Sequence, residues 1–189
     1  ILFHEKNTGK GEYVPFAAVP GGSTFNSMVS VGRSGVPCKF MGYTGNNKVG
    51  HQIVEFMHRN GISTEYFQIR DNERAAISLA YLDSNGDADY TFYKEEPLAA
   101  TDYSMPEFTD RDYFLFGSYY SICPGLRPQV KDILHAAHRA GTVIYYDINF
   151  RRSHIHQKQE LLPVIQENCR LSSIVRGSAD DFDILFGTR

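Results

Sequence analysis

The chain has 189 residues, with 19 Lys and Arg against 22 Asp and Glu and 42% apolar residues, a balance that excludes bulk disorder. That length buries roughly 70% of the surface an unfolded chain exposes, which suits one large domain with a small appendage. The net charge of -3 is mixed along the chain and offers no wide positive face, so no nucleic acid partner is expected. Cys38, Cys123 and Cys169 are odd in number and widely spaced, fitting neither a disulfide framework nor a zinc cluster. They read as buried thiols of a reducing compartment. No run reaches the eighteen or so apolar residues that cross a bilayer, and no leader pattern is present, so a cytoplasmic protein without a membrane partner is expected. The start on Ile1 and the end just after an apolar helical pattern both read as cut.

In chain order, Ile1 to Phe3 is a short apolar start and Val14 to Val19 reads as extended, ended by the turn Pro20-Gly21-Gly22. Ser23 is placed to cap a helix whose apolar positions Phe25, Met28, Val29 and Gly32 follow the helical period, with Gly35 as its stop. Val36 to Met41 reads as a strand and Gly45 to Gly50 as a loop. Val49, Ile53, Phe56 and Met57 then mark one face of a second helix, closed by Gly61. Two β-rich runs from Ala75 to Tyr93 flank the turn sequence Asp83 to Asp87 and predict an antiparallel hairpin. The alternation then returns. A strand covers Tyr113 to Phe116, a helix starts near Pro128 and stops at Gly141, and a strand follows over Thr142 to Tyr146. A helix around Leu161 to Glu167, a short strand at Ile174-Val175 and a capped helix with Phe182, Leu185 and Phe186 inward complete the chain. Repeated βα units predict a parallel sheet with helices on both faces.

Three segments carry candidate chemistry. In Gly21-Gly22-Ser23-Thr24-Phe25-Asn26, glycines at a strand-to-helix junction let the backbone approach a ligand. Asn26 there offers a donor and an acceptor together, which suits sugar hydroxyls; a tight turn with a helix cap would read the same. Gly42 to Gly50 is a second glycine-spaced loop before a helix, equally open to a capping explanation. Asp147-Ile148-Asn149-Phe150-Arg151 lies past the C-terminal end of a sheet strand, where ligands of open α/β sheets collect. Alternation would let Asp147, Asn149 and Arg151 converge, with Arg151 suited to phosphate; a surface Asp-Arg pair is the plainer alternative. His154 and His156 lack the partners of a zinc site and read as a solvated face. Asp180 and Asp181 sit in the first turn of the last helix, where carboxylates favour the macrodipole.

In this order, the elements resemble the ribokinase-like, or PfkB, family of carbohydrate kinases, from end to end of the chain. Gly21 to Asn26, with Gly32, Gly35 and the Gly45 to Gly50 loop, is similar to the family's amino-terminal signature. Asp147 to Arg151 resembles the D-x-N-x-R segment of the fructokinase and 2-keto-3-deoxygluconate kinase branch, and Ser173 to Phe182 resembles the strand-to-helix segment ending in N-x-x-E. The resemblance implies a three-layer α/β/α, Rossmann-like core over residues 1–189, of which this is the amino-terminal portion. It also implies a small β-sheet lid drawn from about 10–18 and 75–95, and a homodimer formed through that lid. It implies transfer of the ATP γ-phosphate to a sugar hydroxyl with Mg2+, and a monovalent cation as a further cofactor. By position, Gly21, Gly22 and Asn26 would hold the sugar, Tyr93 and Lys94 would reach in from the lid, and Asn149 and Arg151 would face sugar and transferring phosphate. Asp181 would help organise magnesium.

Some positions depart from the family pattern. His4 stands where the family usually places a sugar-binding Asp. The N-x-x-E position reads Ser178-Ala179-Asp180-Asp181, with a shorter acid. The G-A-G-D segment, which carries the family's general-base Asp, is not among these residues and is expected beyond Arg189. The expectation is therefore a carbohydrate kinase acting on fructose or a keto-sugar acid, inactive as this fragment alone. The rivals are a non-catalytic sugar-binding or regulatory relative and a nucleoside kinase of the same fold. A nucleotide-dependent oxidoreductase is disfavoured, because no G-x-G-x-x-G follows the first strand.

Overall fold

A computed structural model describes residues 2–5, 16–71, 73–82, 88–93 and 103–188. The chain divides into two compact units, Ile1–Glu95 and Glu96–Arg189. The Lys10 to Pro15 part of the expected lid, the turn at 83–87 and Lys94 lie outside the described residues.

The first unit runs β1 (Leu2–Glu5), β2 (Phe16–Val19), α1 (Ser23–Arg33), β3 (Cys38–Lys39), β4 (Gly42–Gly45), α2 (Lys48–Arg59), β5 (Ile62–Ser63), β6 (Phe67–Arg70), β7 (Ile77–Leu82) and β8 (Ala88–Tyr93). A four-stranded sheet has the order β2-β1-β7-β8. Within it, β7 and β8 form the expected antiparallel hairpin, with Ile77 opposite Tyr93. β1 also joins this sheet, parallel to β7 and antiparallel to β2. The apolar faces of α1 and α2 meet in a small core of Phe25, Val29, Met57 and Ile62, with the Phe25 and Phe40 rings edge to face at 5.3 Å.

Three local expectations change here. The run Val36 to Met41 is not one strand, because the chain switches partners within it. Phe40 N donates to Ser63 O at 3.0 Å, whereas Gly42 N donates to Tyr66 O at 3.3 Å. The expected loop from Gly45 is correspondingly short, since β4 includes Gly45 and α2 begins at Lys48. Ser23, expected as a cap, is instead the first helical residue, and Gly22 with φ 139° takes the cap position.

The second unit runs β9 (Tyr113–Gly117), α3 (Arg127–Arg139), β10 (Val143–Asp147), α4 (Lys158–Leu171), β11 (Ile174–Arg176) and α5 (Ala179–Phe186). Its sheet has the order β11-β10-β9, with both neighbours parallel to β10. Parallel neighbours need crossovers, which α3 and α4 supply. Ile144, Tyr146, Ile148 and Phe150 are buried at alternate positions and pack into one core with Phe116, Leu134, Ala137 and Ile165. The Phe116 and Tyr146 rings stack at 4.7 Å. In α5 only Asp181 and Leu185, one turn apart, are buried. Phe182 and Phe186, expected inward, lie on the neighbouring face of this short helix and are exposed.

A polar cluster joins the two crossover helices. The Arg127 guanidinium donates to Asn168 Oδ1 at 2.7 Å and to Glu167 Oε2 at 2.6 Å, and Lys131 lies 3.2 Å from Glu167 Oε1. Arg127 holds the Glu167 carboxyl below its ordinary pKa, against an opposing effect of burial, and Lys131 adds to the lowering. Whatever stability this pair adds is present above the ordinary glutamate pKa and is lost as pH falls through the lowered one. Burial pushes the Tyr146 phenol up, while nearby Asn168 and Ser121 pull it down. Neither of them forms a hydrogen bond of good geometry to its hydroxyl.

The two kinds of core residue should therefore respond differently to truncation. Tyr146→Phe removes a buried hydroxyl that lacks a partner and should change unfolding free energy by less than about 1 kcal/mol, or raise it. Leu134→Ala in the same core should cost about 2–5 kcal/mol. Urea titration of both variants checks the contrast.

Candidate functional site

β9 and β10 end side by side, with Gly117 paired to Asp147. A Cβ at Gly117 would lie 2.1 Å from Asp147 O, so only glycine lets the strands approach this closely. Past that point the chain turns at two residues with positive φ, Ser118 at 55° and Asn149 at 40°, the only non-glycine residues of that kind among those described. Ser118, with ψ -165°, lies in a region that glycine ordinarily occupies, at a cost of order 1–3 kcal/mol. The two residues are bound to each other, Asn149 Nδ2 donating to Ser118 Oγ at 2.6 Å. A strained polar pair thus sits at the C-terminal ends of neighbouring parallel strands, the edge where open α/β sheets bind ligands.

Asp147, Asn149 and Arg151 do not converge as strand alternation would have it. Ile148 and Phe150 between them are buried, in keeping with that alternation, but Asn149 is left-handed and ends the extension. Asp147 pairs with Arg176 at 3.0 Å, while Asn149 turns to Ser118. Arg151 is exposed, with no ion pair among the described residues.

Asp181, where a magnesium-organising acid was expected, faces protein donors. Its Oδ1 accepts from Phe150 N at 2.7 Å, and its Oδ2 accepts from Ser178 N at 2.7 Å and Ser178 Oγ at 2.9 Å. The residue is 5% exposed. His154 is not part of a merely solvated face either, since its ring stacks on Tyr119 at 4.1 Å.

In the first unit, Gly21 and Gly22 lead directly into α1. Asn26 N donates to Gly22 O at 2.8 Å, and Asn26 is exposed on the first turn. Gly22 has φ 139°, a conformation that L side chains rarely adopt. In the second glycine-spaced segment, Asn47 caps α2 by accepting from Gly50 N at 3.0 Å. Tyr93 ends β8 and is 59% exposed. His4 occupies β1, opposite Ala17 and Ala80.

Ser118 is the residue that sequence reasoning missed. Its signal was Gly117-Ser118 directly after an apolar strand, a backbone approach followed by a polar side chain at a sheet edge. Among the described residues no three His, Cys, Asp or Glu side chains gather where they could hold a metal ion.

The strained polar pair and the exposed Arg151 thus lie at the strand ends of a parallel sheet, the edge at which α/β proteins bind small molecules. The model of the pfkB family carbohydrate kinases matches residues 4–189, and the chain belongs to that family. It is 29% identical over 176 residues to the aminoimidazole riboside kinase of Salmonella typhimurium, covering 89% of this chain and 53% of the relative. It is 24% identical over 177 residues to the probable fructokinase-4 of Arabidopsis thaliana, covering 92% and 54%. The chain thus spans about half the length of these relatives. The fold matches that of a fructokinase from Xylella fastidiosa, with TM-score 0.83 and 20% identity over 99% of this chain and 59% of that one. It also matches the Salmonella enterica aminoimidazole riboside kinase solved with aminoimidazole riboside and an ATP analogue, with TM-score 0.80 and 22% identity over 99% and 60%. The fold is that of the ribokinase-like α/β kinases.

The strain at Ser118 can be measured. Ser118→Ala keeps the unfavourable backbone and loses the bond to Asn149, so it should destabilise by about 1–2 kcal/mol. Ser118→Gly loses the same bond but relieves the backbone, and should be more stable than Ser118→Ala by about 1 kcal/mol. Thermal unfolding of the two variants side by side gives the order.

Proposed function

We propose that these residues form the sugar-holding part of an ATP-dependent carbohydrate kinase, with fructose or a keto-sugar acid as acceptor. The observation that carries the reading is the Ser118–Asn149 pair at the ends of β9 and β10, with the exposed Arg151 two residues on, in a chain of the pfkB carbohydrate kinase family. Asn149 would hold a sugar hydroxyl, and the Arg151 guanidinium would neutralise charge on the phosphoryl group in transit. Gly21, Gly22 and Asn26 would hold the sugar through a bare backbone and an amide. By the same resemblance, Tyr93 and Lys94 are assigned to sugar contact as well.

Phosphoryl transfer asks mostly for positioning and charge neutralisation, which fits a site of amides and a guanidinium. No G-A-G-D run occurs in the 189 residues, so the general base is assigned to none of them and the chain by itself is proposed to be inactive. Magnesium and a monovalent cation belong to the same reading, and no step is assigned to either. The exposed Tyr90 and Phe92, stacked on one face of the lid sheet, support its use as a homodimer contact. The three free cysteines support a cytoplasmic setting. Among the described residues no helix is long and apolar enough to cross a membrane. A riboside acceptor is the second reading, favoured by the 29% identity to an aminoimidazole riboside kinase.

The complete gene product should transfer phosphate from ATP to fructose, while the purified 189-residue chain should not. Asn149→Ala in the complete product should raise the sugar KM about tenfold and leave the ATP KM within about twofold. Steady-state assays across fructose, ketodeoxygluconate, ribose, aminoimidazole riboside and adenosine check this. No turnover on any of them would replace the kinase by a binding-only protein.

A further inference from the structure

We infer that Asp181 is a positioning residue which pins the 147–151 segment at Phe150 and so sets the backbone that carries Asn149 and Arg151. Asp181 lies on α5, and its carboxylate reaches back to the segment that follows β10. One oxygen closes the cap of α5, accepting from Ser178 N and Ser178 Oγ, while Ser178 Oγ accepts from Asp181 N at 3.1 Å. The other oxygen accepts the Phe150 backbone N–H at 2.7 Å.

A helix cap needs only the first oxygen. The second makes a contact 31 residues away in sequence, and it falls on the residue between Asn149 and Arg151. Phe150 is itself buried, at 4% exposure, so its ring and its amide are both fixed. With Asn149 tied to Ser118 on one side and Phe150 tied to Asp181 on the other, the backbone that carries both site residues cannot shift without breaking a bond to a buried or strained partner. Bonds to a carboxylate are the stronger kind, and displacement of a positioned group by about 1 Å can cost on the order of 100-fold in rate.

The clamp stands on geometry alone, whereas its effect on sugar rests on the kinase reading, so the test separates them. In the wild-type chain, NMR should show scalar coupling across the hydrogen bond between Phe150 15N and Asp181 13Cγ. Absence of that coupling overturns the proposal, whatever any variant does. Asp181→Asn should speed exchange of the Phe150 amide about tenfold or more, while the Ile148 amide, which donates to Arg176 O at 2.9 Å, stays protected.

In the complete gene product, Asp181→Asn should lower kcat/KM for fructose about 10- to 100-fold with half-saturation for magnesium unchanged. Asp181→Glu should restore part of it. Ser178→Ala, which removes the cap hydroxyl but leaves the Phe150 bond, should lower Tm and leave the sugar KM within about twofold. A shifted magnesium half-saturation with an unchanged sugar KM would make Asp181 a metal-organising residue and overturn the proposal. If the wild-type product phosphorylates none of the acceptors tested, the kinase reading fails, and the coupling and exchange measurements alone decide the clamp.

Discussion

A non-glycine residue persists in a glycine conformation only when its surroundings over-determine it, and the second unit is arranged around that requirement at Ser118. Its N–H is fixed by Asp147 O at 3.1 Å, its carbonyl accepts from Ser121 Oγ at 2.6 Å, and its hydroxyl accepts from Asn149. Gly117, one residue earlier, allows the close approach of β9 and β10 without which the first of these bonds could not form. The turn after β9 is therefore held by backbone and side chain together. The strain is sustained by bonds that individually contribute about 1 kcal/mol and together are of the same order as its cost.

The same turn is anchored from behind by the crossover helices. Asn168 Nδ2 and Arg127 Nη1 both donate to Ser121 O, at 3.2 Å and 3.3 Å, and Arg127 continues to Glu167 and Lys131 on the half-exposed side. A chain of polar contacts thus runs from the rim of α3 and α4, through the buried Asn168, to Ser121, Ser118 and Asn149. Buried polar groups of this kind are costly unless satisfied. Here nearly every member has a partner, and the exception is the Tyr146 hydroxyl beside them. The network places polar side chains within an otherwise apolar core of Phe116, Leu134, Ile144 and Ile165, and its end point is the candidate site.

The order of strands and helices was legible because each element carries its own period and its own stop, as in the Phe25, Met28 and Val29 stripe or the alternation of Ile144, Tyr146, Ile148 and Phe150. The segment Asp147 to Arg151 was marked as a candidate site by its place after a strand. Its geometry was not, because alternation assumes an extended backbone and the left-handed turn at Asn149 depends on Ser118, 31 residues earlier. The inward placement of Phe182 and Phe186 failed for a related reason. In an eight-residue helix two adjacent stripes fit the helical period equally well, and the buried one was marked by a carboxylate at Asp181 that apolar patterning does not detect. The division of Val36 to Gly45 between two partner strands is likewise a tertiary choice that β-propensity along one run does not encode.

The departures from the family pattern at Ser178 and Asp181 become one feature when their bonds are taken together. A capping box pairs a hydroxyl or amide at the cap with an acid three residues on. Ser178 and Asp181 close it with bonds of 2.7 Å to 3.1 Å in both directions. Ser in place of Asn supplies a hydroxyl that donates to the acid as well as accepting from Asp181 N, and the shorter acid keeps its carboxylate near the helix start. There the macrodipole and three donors compensate its removal from water. A longer acid has one more torsion to fix and would have to fold back to meet the same two Ser178 donors while keeping Phe150 in reach. The Ser and the Asp are thus matched to each other, while the bond that reaches the backbone carrying Asn149 and Arg151 is made by the Asp alone.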